Sequence, residues 1–211
     1  MIYFIITTSI NNRYGAQQTV NDRKQRYLYA IHETIKLLPQ EITPIIVENN
    51  GKRDTYLDNF YHGVNRIKVV YTENNKLPFK SKGANELLDI KEVIDKCNIK
   101  DDDIVIKLTG RYRALSPKFF NDVIANEHEY DAFVKFFGTC SLKFEIYDCI
   151  LGYYAMRAKY IKLFNHYSID NYQSAEIAFA RYVRLSGAHL KEVETLDVEC
   201  CFAEDNRILV V

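Results

Sequence analysis

The chain has 211 residues, 47% of them hydrophobic and 27% charged, with 28 basic against 28 acidic side chains. A net charge of zero argues against a general nucleic-acid or membrane-surface binder, and the length suits one domain with a self-sufficient core. The five cysteines are odd in number and contain no C-x-x-C, so they show no zinc-ligand spacing and argue against a disulfide framework.

The opening MIYFIITTSI is apolar but lacks a basic n-region and a small-residue cleavage site, so it reads as a buried first strand over 2–8. No apolar run approaches the roughly 20 residues of a membrane helix. A soluble, cytoplasmic protein without a membrane span is the expectation. Tyr27, Ala30, Ile31, Thr34, Ile35 and Leu38 recur at helical spacing, predicting a helix from Asp22 to Leu38, capped by Asn21 or Asp22 and stopped by Pro39. A second strand is expected over Pro44–Val47, a short helix over 54–61, and a third strand over Arg66–Tyr71. A polar loop leads to a helix from about Gly83 to Cys97, with Leu87, Leu88, Ile90, Val93 and Ile94 as its apolar stripe.

Asp101-Asp102-Asp103 precede a strand over Ile104–Leu108. Ser116-Pro117 opens the next helix, with Ser as cap and Pro at the first helical position. Strands follow at Tyr130–Phe137 and Cys149–Met156, with Leu142–Ile146 as a hairpin arm between them. Lys159–Phe164 forms a helical turn, and Ser174–Ser186 a helix that stops at Gly187. His189–Val198 alternates as a strand, and the final ILVV adds an edge. Strands and helices alternate for two thirds of the chain. That order predicts a three-layer α/β/α fold around a mixed, mostly parallel sheet of about six to eight strands.

In such sheets ligands bind beyond the carboxyl ends of the strands. Gathered at that edge are Thr7, Thr8, Ser9 and Arg13 after the first strand, and Glu48, Asn49 and Asn50 after the second. Asn74, Asn75, Lys76, Lys80 and Lys82 follow the third, and Thr109, Gly110, Arg111, Tyr112 and Arg113 the strand at 104–108. Carboxamides suit a base or a sugar, and cations suit phosphate. Lys82-Gly83 opens a helix, so unpaired N–H groups and the positive end of the dipole face the same edge. Together with Arg111 they predict a diphosphate site. The three adjacent aspartates could ligate a divalent metal, but they stand at the opposite, amino end of their strand, where Asp commonly caps a turn. No G-x-G-x-x-G, P-loop or G-x-S-x-G is present.

Four segments in this order resemble a glycosyltransferase of the GT-A fold: YFIITTSINNR, KSKGANELLDI, DCILGYYAMRAKYIKLF and SAEIAFARYVRLSGAHL. With VENNG and IVIKLTGRYR, the pattern resembles small glycosyltransferase-like proteins of viruses and bacterial surface-glycan loci. The resemblance implies one GT-A-like domain over 1–211, with 1–110 as the nucleotide-sugar-binding half and 111–211 as the acceptor-binding half. It implies transfer from a nucleotide-sugar donor, UDP-sugar foremost, to a glycan or glycoprotein acceptor, and a cytoplasmic enzyme, in the host cytoplasm if viral. Gly152 and Tyr153 fall on its acceptor-side strand, and Glu176 and Asp148 are its candidate catalytic acids. The family usually carries a D-x-D that holds Mn²⁺ or Mg²⁺ on the donor diphosphate. Here Thr109-Gly110-Arg111 stands in its place, and Arg111 with Lys82 offers the charge neutralisation instead, which leaves the metal ligands unassigned. Two alternatives remain beside this reading. One is a sugar-phosphate nucleotidyltransferase, against which the single Gly15 after the first strand counts. The other is a non-catalytic glycan- or protein-binding module on the same fold.

Overall fold

The computed structural model describes residues 1–11, 19–51, 56–79, 81–136, 148–165, 174–202 and 207–211. In chain order the elements are β1 (Ile2–Thr8), α1 (Val20–Ile35), β2 (Ile42–Glu48), β3 (Tyr61–His62), β4 (Asn65–Arg66), β5 (Lys68–Tyr71), α2 (Lys82–Lys96), β6 (Ile104–Thr109), β7 (Arg113–Ala114), α3 (Lys118–Asn126), β8 (Ala132–Val134), β9 (Tyr153–Arg157), α4 (Ala158–Leu163), α5 (Ala175–Leu185), β10 (Leu190–Glu192), β11 (Val198–Cys201) and β12 (Ile208–Val210).

Seven strands form the main sheet in the order β10-β8-β9-β6-β1-β2-β5. β1 is central and parallel to both β2 and β6, with Thr7 level with Val47 and Thr109. β9 runs against β6 and β8, which makes the sheet mixed. Side chains alternate across each strand. Phe4, Ile6, Ile106 and Leu108 therefore face α1 and α3, where they pack with Tyr27, Ile31, Phe119 and Phe120. Ile5, Val47 and Val105 face the other way, onto Leu87, Ile90 and Val93 of α2 and onto α4 and α5. The architecture is the α/β/α sandwich that the alternation predicts.

Several local expectations shift. Thr19 caps α1, its hydroxyl accepting from the Asp22 amide at 3.1 Å. The Thr hydroxyl reaches the third N–H of the helix, which Asp22 inside the helix cannot do for itself. Residues 54–55 lie outside the described set, and Tyr56–Asn59 form turns and not a helix. The stretch read as one strand from His189 to Val198 breaks into β10 in the main sheet and β11 in a second sheet with β12 and β7. At Asp197 a positive φ of 48° ends the extended run. The ILVV edge thus belongs to the small sheet. The hairpin arm at 142–146 lies outside the described residues.

The acid run at 101–103 is a turn at the amino end of β6. Asp103 is buried and accepts from the Lys100 amide at 2.8 Å, while Asp101 pairs with Lys162 on the surface. Among the described residues, no helix is long and apolar enough to cross a membrane.

Candidate functional site

The carboxyl ends of β1, β2 and β6 open into a cleft lined by Thr7, Thr8, Ser9, Arg23, Tyr27, Asn49, Asn75, Lys82, Asn85, Glu86, Asp89, Thr109 and Arg111. Thr7, Thr8, Ser9, Asn49, Lys82, Thr109 and Arg111 are where the sequence places them. Strand parity sorts the threonines. Thr7 and Thr109 turn toward α2, and both donate to Glu86, Thr109 at 3.1 Å. Thr8 turns the other way, to Glu48 at 3.0 Å.

Gly110 brings the β6 end against β1. Its amide donates to the Thr7 carbonyl at 2.8 Å, and a Cβ there would stand 2.8 Å from the Thr8 methyl and 2.9 Å from the Thr7 oxygen. Glycine is required by that approach, and its backbone forms a wall rather than a ligand contact. Arg111 follows directly. Its guanidinium donates to the Cys201 carbonyl at 2.7 Å, and its own carbonyl accepts from Arg26. Arg26 and Arg113 share the Glu199 carboxylate, each at 2.8 Å, which ties α1 and the Arg111 loop to β11.

The α2 face toward the cleft reads Lys82, Asn85, Glu86, Asp89, one stripe at i, i+3, i+4 and i+7. Ser81, which caps this helix, makes no side-chain hydrogen bond to it, so the first-turn amides and the dipole remain available to an anion. Glu86 pairs with Lys107 at 3.0 Å. Lys107 is fully buried, and also donates to Thr109 Oγ1 at 2.8 Å and the Leu151 carbonyl at 3.0 Å. Burial alone would raise the Glu86 carboxyl. The Lys107 charge and the hydrogen bonds from Thr7, Lys107 and Thr109 outweigh it and hold the group below its ordinary value. Asp89 is the opposite case. Burial pushes it up to about 7, although Thr72, Asn74 and Asn49 donate to it.

Arg23 enters from α1. It is 4% exposed; its Nε donates to the Ser9 carbonyl at 2.8 Å and approaches Tyr27 Oη at 3.4 Å. No carboxylate among the described residues pairs with it, and its buried Nη1 has no partner. Asn85 is likewise 4% exposed, and its buried Oδ1 has no partner.

Other sequence-predicted positions fall elsewhere. Arg13 lies outside the described residues. Glu48 is 2% exposed and turns inward, accepting from Thr8, the Ile10 and Asn50 amides, Asn50 Nδ2 and Tyr56. Glu48 thus acts as a structural hub and does not line the cleft, and Asn50 is held within the same hub and by Asn75. Gly83 borders a small apolar cavity behind α2 instead of the cleft. Tyr112 is buried, and a Cβ on Gly152 would overlap its ring. Tyr153 is wholly buried, with its ring 4.5 Å from that of Phe119. Tyr112, Gly152 and Tyr153 therefore pack in the core and do not line the cleft.

Burial above all, with a smaller contribution from the Asp148 charge, raises the Glu176 carboxyl, against the hydrogen bond that Ser174 donates to it at 2.5 Å. Asp148 accepts from the Cys149 amide at 2.8 Å. Neither lines the cleft. No group of three or more His, Cys, Asp or Glu suited to a metal occurs among the described residues.

No family model matches the chain, and no curated protein matches it. Solved structures share the fold at low sequence identity. The bifunctional IspDF of Campylobacter jejuni aligns with TM-score 0.55 at 13% identity, over 99% of this chain and 52% of that one. The chain thus spans about half the length of IspDF. A protein designated a nucleotide-diphospho-sugar transferase, from Desulfovibrio desulfuricans G20, aligns with TM-score 0.56 at 10% identity, over 91% of this chain and 79% of that one. A CMP:2-keto-3-deoxy-manno-octonic acid synthetase complexed with CTP aligns with TM-score 0.51 at 12% identity, over 91% and 89%. The chain shares the fold of these structures, an α/β/α sandwich of the GT-A-like kind.

Proposed function

We propose that the protein is a nucleotidyltransferase that moves a nucleotidyl group from a nucleoside triphosphate onto a sugar phosphate. The observation that carries this reading is Arg23, a buried guanidinium with an unpartnered Nη1 and no carboxylate partner among the described residues, facing the same cleft as Lys82 and Arg111. A cation buried without a counter-charge is costly, and an anionic ligand supplies what the protein withholds. Lys82, Arg23, Arg111 and the first-turn amides of α2 together suit a chain of phosphates. A fold neighbour that is complexed with CTP supports a nucleotide as the kind of ligand.

The chemistry also suits the carboxyls at hand. A phosphate oxygen of the acceptor attacks the α-phosphorus, a new P–O bond forms, the α–β P–O bond breaks, and pyrophosphate leaves with its electron pair. The nucleophile is already an anion, so no general base is required, and Glu86 is occupied by Lys107. The cations stabilise charge that moves toward the leaving pyrophosphate. The cleft residues all fall between Thr7 and Arg111, which supports the first half of the chain as the nucleotide-binding part.

A second reading, glycosyl transfer from a nucleotide-sugar, is favoured by the Asp148–Glu176 pair. Burial and its neighbour raise Glu176, a setting that suits a proton acceptor for a sugar hydroxyl. One assay separates the two. Pyrophosphate release is measured with nucleoside triphosphates and a sugar-phosphate panel, and nucleoside diphosphate release with a nucleotide-sugar panel, each with Mg²⁺, with Mn²⁺ and with EDTA. Pyrophosphate release that requires the sugar phosphate is the expected result. Diphosphate release alone assigns glycosyl transfer, and turnover in neither panel overturns both.

A further inference from the structure

Among the described side-chain atoms of the cleft, two are buried without a partner, and they are of opposite kind. Arg23 Nη1 is a donor, and Asn85 Oδ1 is an acceptor. The surrounding polar atoms are satisfied within the protein: Glu86 by Thr7, Thr109 and Lys107, and Asp89 by Thr72 and Asn74. An unmade hydrogen bond at a buried acceptor costs about 1–3 kcal/mol, so Asn85 is held at a position that favours no apo state. A phosphate completes Arg23. Fully ionised, it has no proton to give, and so it cannot complete Asn85.

We infer that Asn85 reads the nucleoside of the bound nucleotide, its Oδ1 accepting a hydrogen bond from an N–H of the base or an O–H of the ribose. The inference rests on the nucleotide reading of the cleft. Asn85 stands one turn beyond Lys82 on the same α2 face, so one ligand can place its phosphates at the helix start and its nucleoside against Asn85. Asn85 is then a specificity-determining residue, and Lys82 and Arg23 are not.

The test is calorimetric titration of the full chain, wild type, Asn85→Leu and Asn85→Asp, with CTP, UTP, 2′-deoxy-CTP and inorganic tripolyphosphate, beside melting curves without ligand. Asn85→Leu weakens the nucleotides by about tenfold or more, leaves tripolyphosphate unchanged, and leaves the apo melting temperature equal or higher. Asn85→Asp, which keeps an acceptor but adds a charge that repels phosphate, weakens all four ligands and keeps the wild-type ratio of nucleotide to tripolyphosphate affinity. A loss for CTP but not UTP assigns the contact to the base amine. A loss for ribonucleotides with none for the 2′-deoxy form assigns it to the ribose. Nucleotide affinity unchanged in Asn85→Leu overturns the inference. So does an equal loss of nucleotide and tripolyphosphate with a lowered melting temperature, which marks a structural role. If wild-type protein binds tripolyphosphate and no nucleotide more tightly, the inference fails while the anion site stands. If it binds none of the four, the nucleotide reading fails with it.

Discussion

Two buried cations stand near the end of the central strands, and the protein completes them differently. Lys107 has a carboxylate, a hydroxyl and a carbonyl within 3.0 Å, one acceptor for each ammonium proton. Arg23 has a carbonyl and a phenol on one nitrogen and, among the described residues, no partner on Nη1. Lys107 rises from the floor and organises Glu86 and Thr109. Arg23 forms the opposite wall and is incomplete in the protein alone. A satisfied buried charge is part of the scaffold. An unsatisfied one at a cleft marks where something else belongs.

Asp89, a third buried ionisable group on the same helix as Glu86, sharpens the contrast. Its folded value of about 7 lies above the 3.8 of an ordinary aspartate, so between these values the folded state holds a proton that the unfolded state has lost. Stability therefore falls as pH rises from about 4 to 7, by on the order of 4 kcal/mol in total. Asp89→Asn, neutral throughout, matches wild type near pH 4.5 and exceeds it near pH 7.5 in denaturant unfolding. Parallel pH profiles of the two proteins would remove Asp89 from the account.

Breaking the completed cation is the next largest effect. Lys107→Met leaves Glu86 without its ammonium, and because the Glu86 side chain keeps 26% of its surface in solvent the loss is about 2–4 kcal/mol. Adding Glu86→Gln recovers part of it in a double-mutant cycle. An additive cycle contradicts the pairing. Gly110→Ala costs less, about 1–3 kcal/mol, because β1 and β6 must part by a few tenths of an ångström. Unfolding midpoints equal to wild type would mean that the strands do not meet as described.

The scaffold was legible in the sequence because its signals are local. Apolar alternation in IYFIITT and IVIKLT and the stripe of α2 each lie within one element, and strand ends mark the cleft rim. What was missed is non-local. Lys107 sits in a run of β-branched residues, and its partner Glu86 lies on the preceding helix. The polar stripe Lys82, Asn85, Glu86, Asp89 was present in the same helix whose apolar stripe was read, and a helix with an apolar side toward the sheet and a second, polar side toward the strand ends would have pointed to it. Arg23 carries no such signal, since a basic residue in the first turn of a helix reads as solvated. For Glu48 the position at a strand end was visible in the sequence but its face was not. One residue of register sends Thr8 and Glu48 inward and Thr7 toward α2.

The smallest expected effect on folding belongs to Arg23, and it tests the central claim most directly. Titration of wild type and Arg23→Met with CTP or UTP, beside their unfolding curves, reads affinity and stability together. Nucleotide affinity lowered by about tenfold to a hundredfold, with stability equal to wild type or higher, is the expected result. Undiminished affinity, or stability lost in parallel with it, would contradict the claim that Arg23 is completed by a ligand.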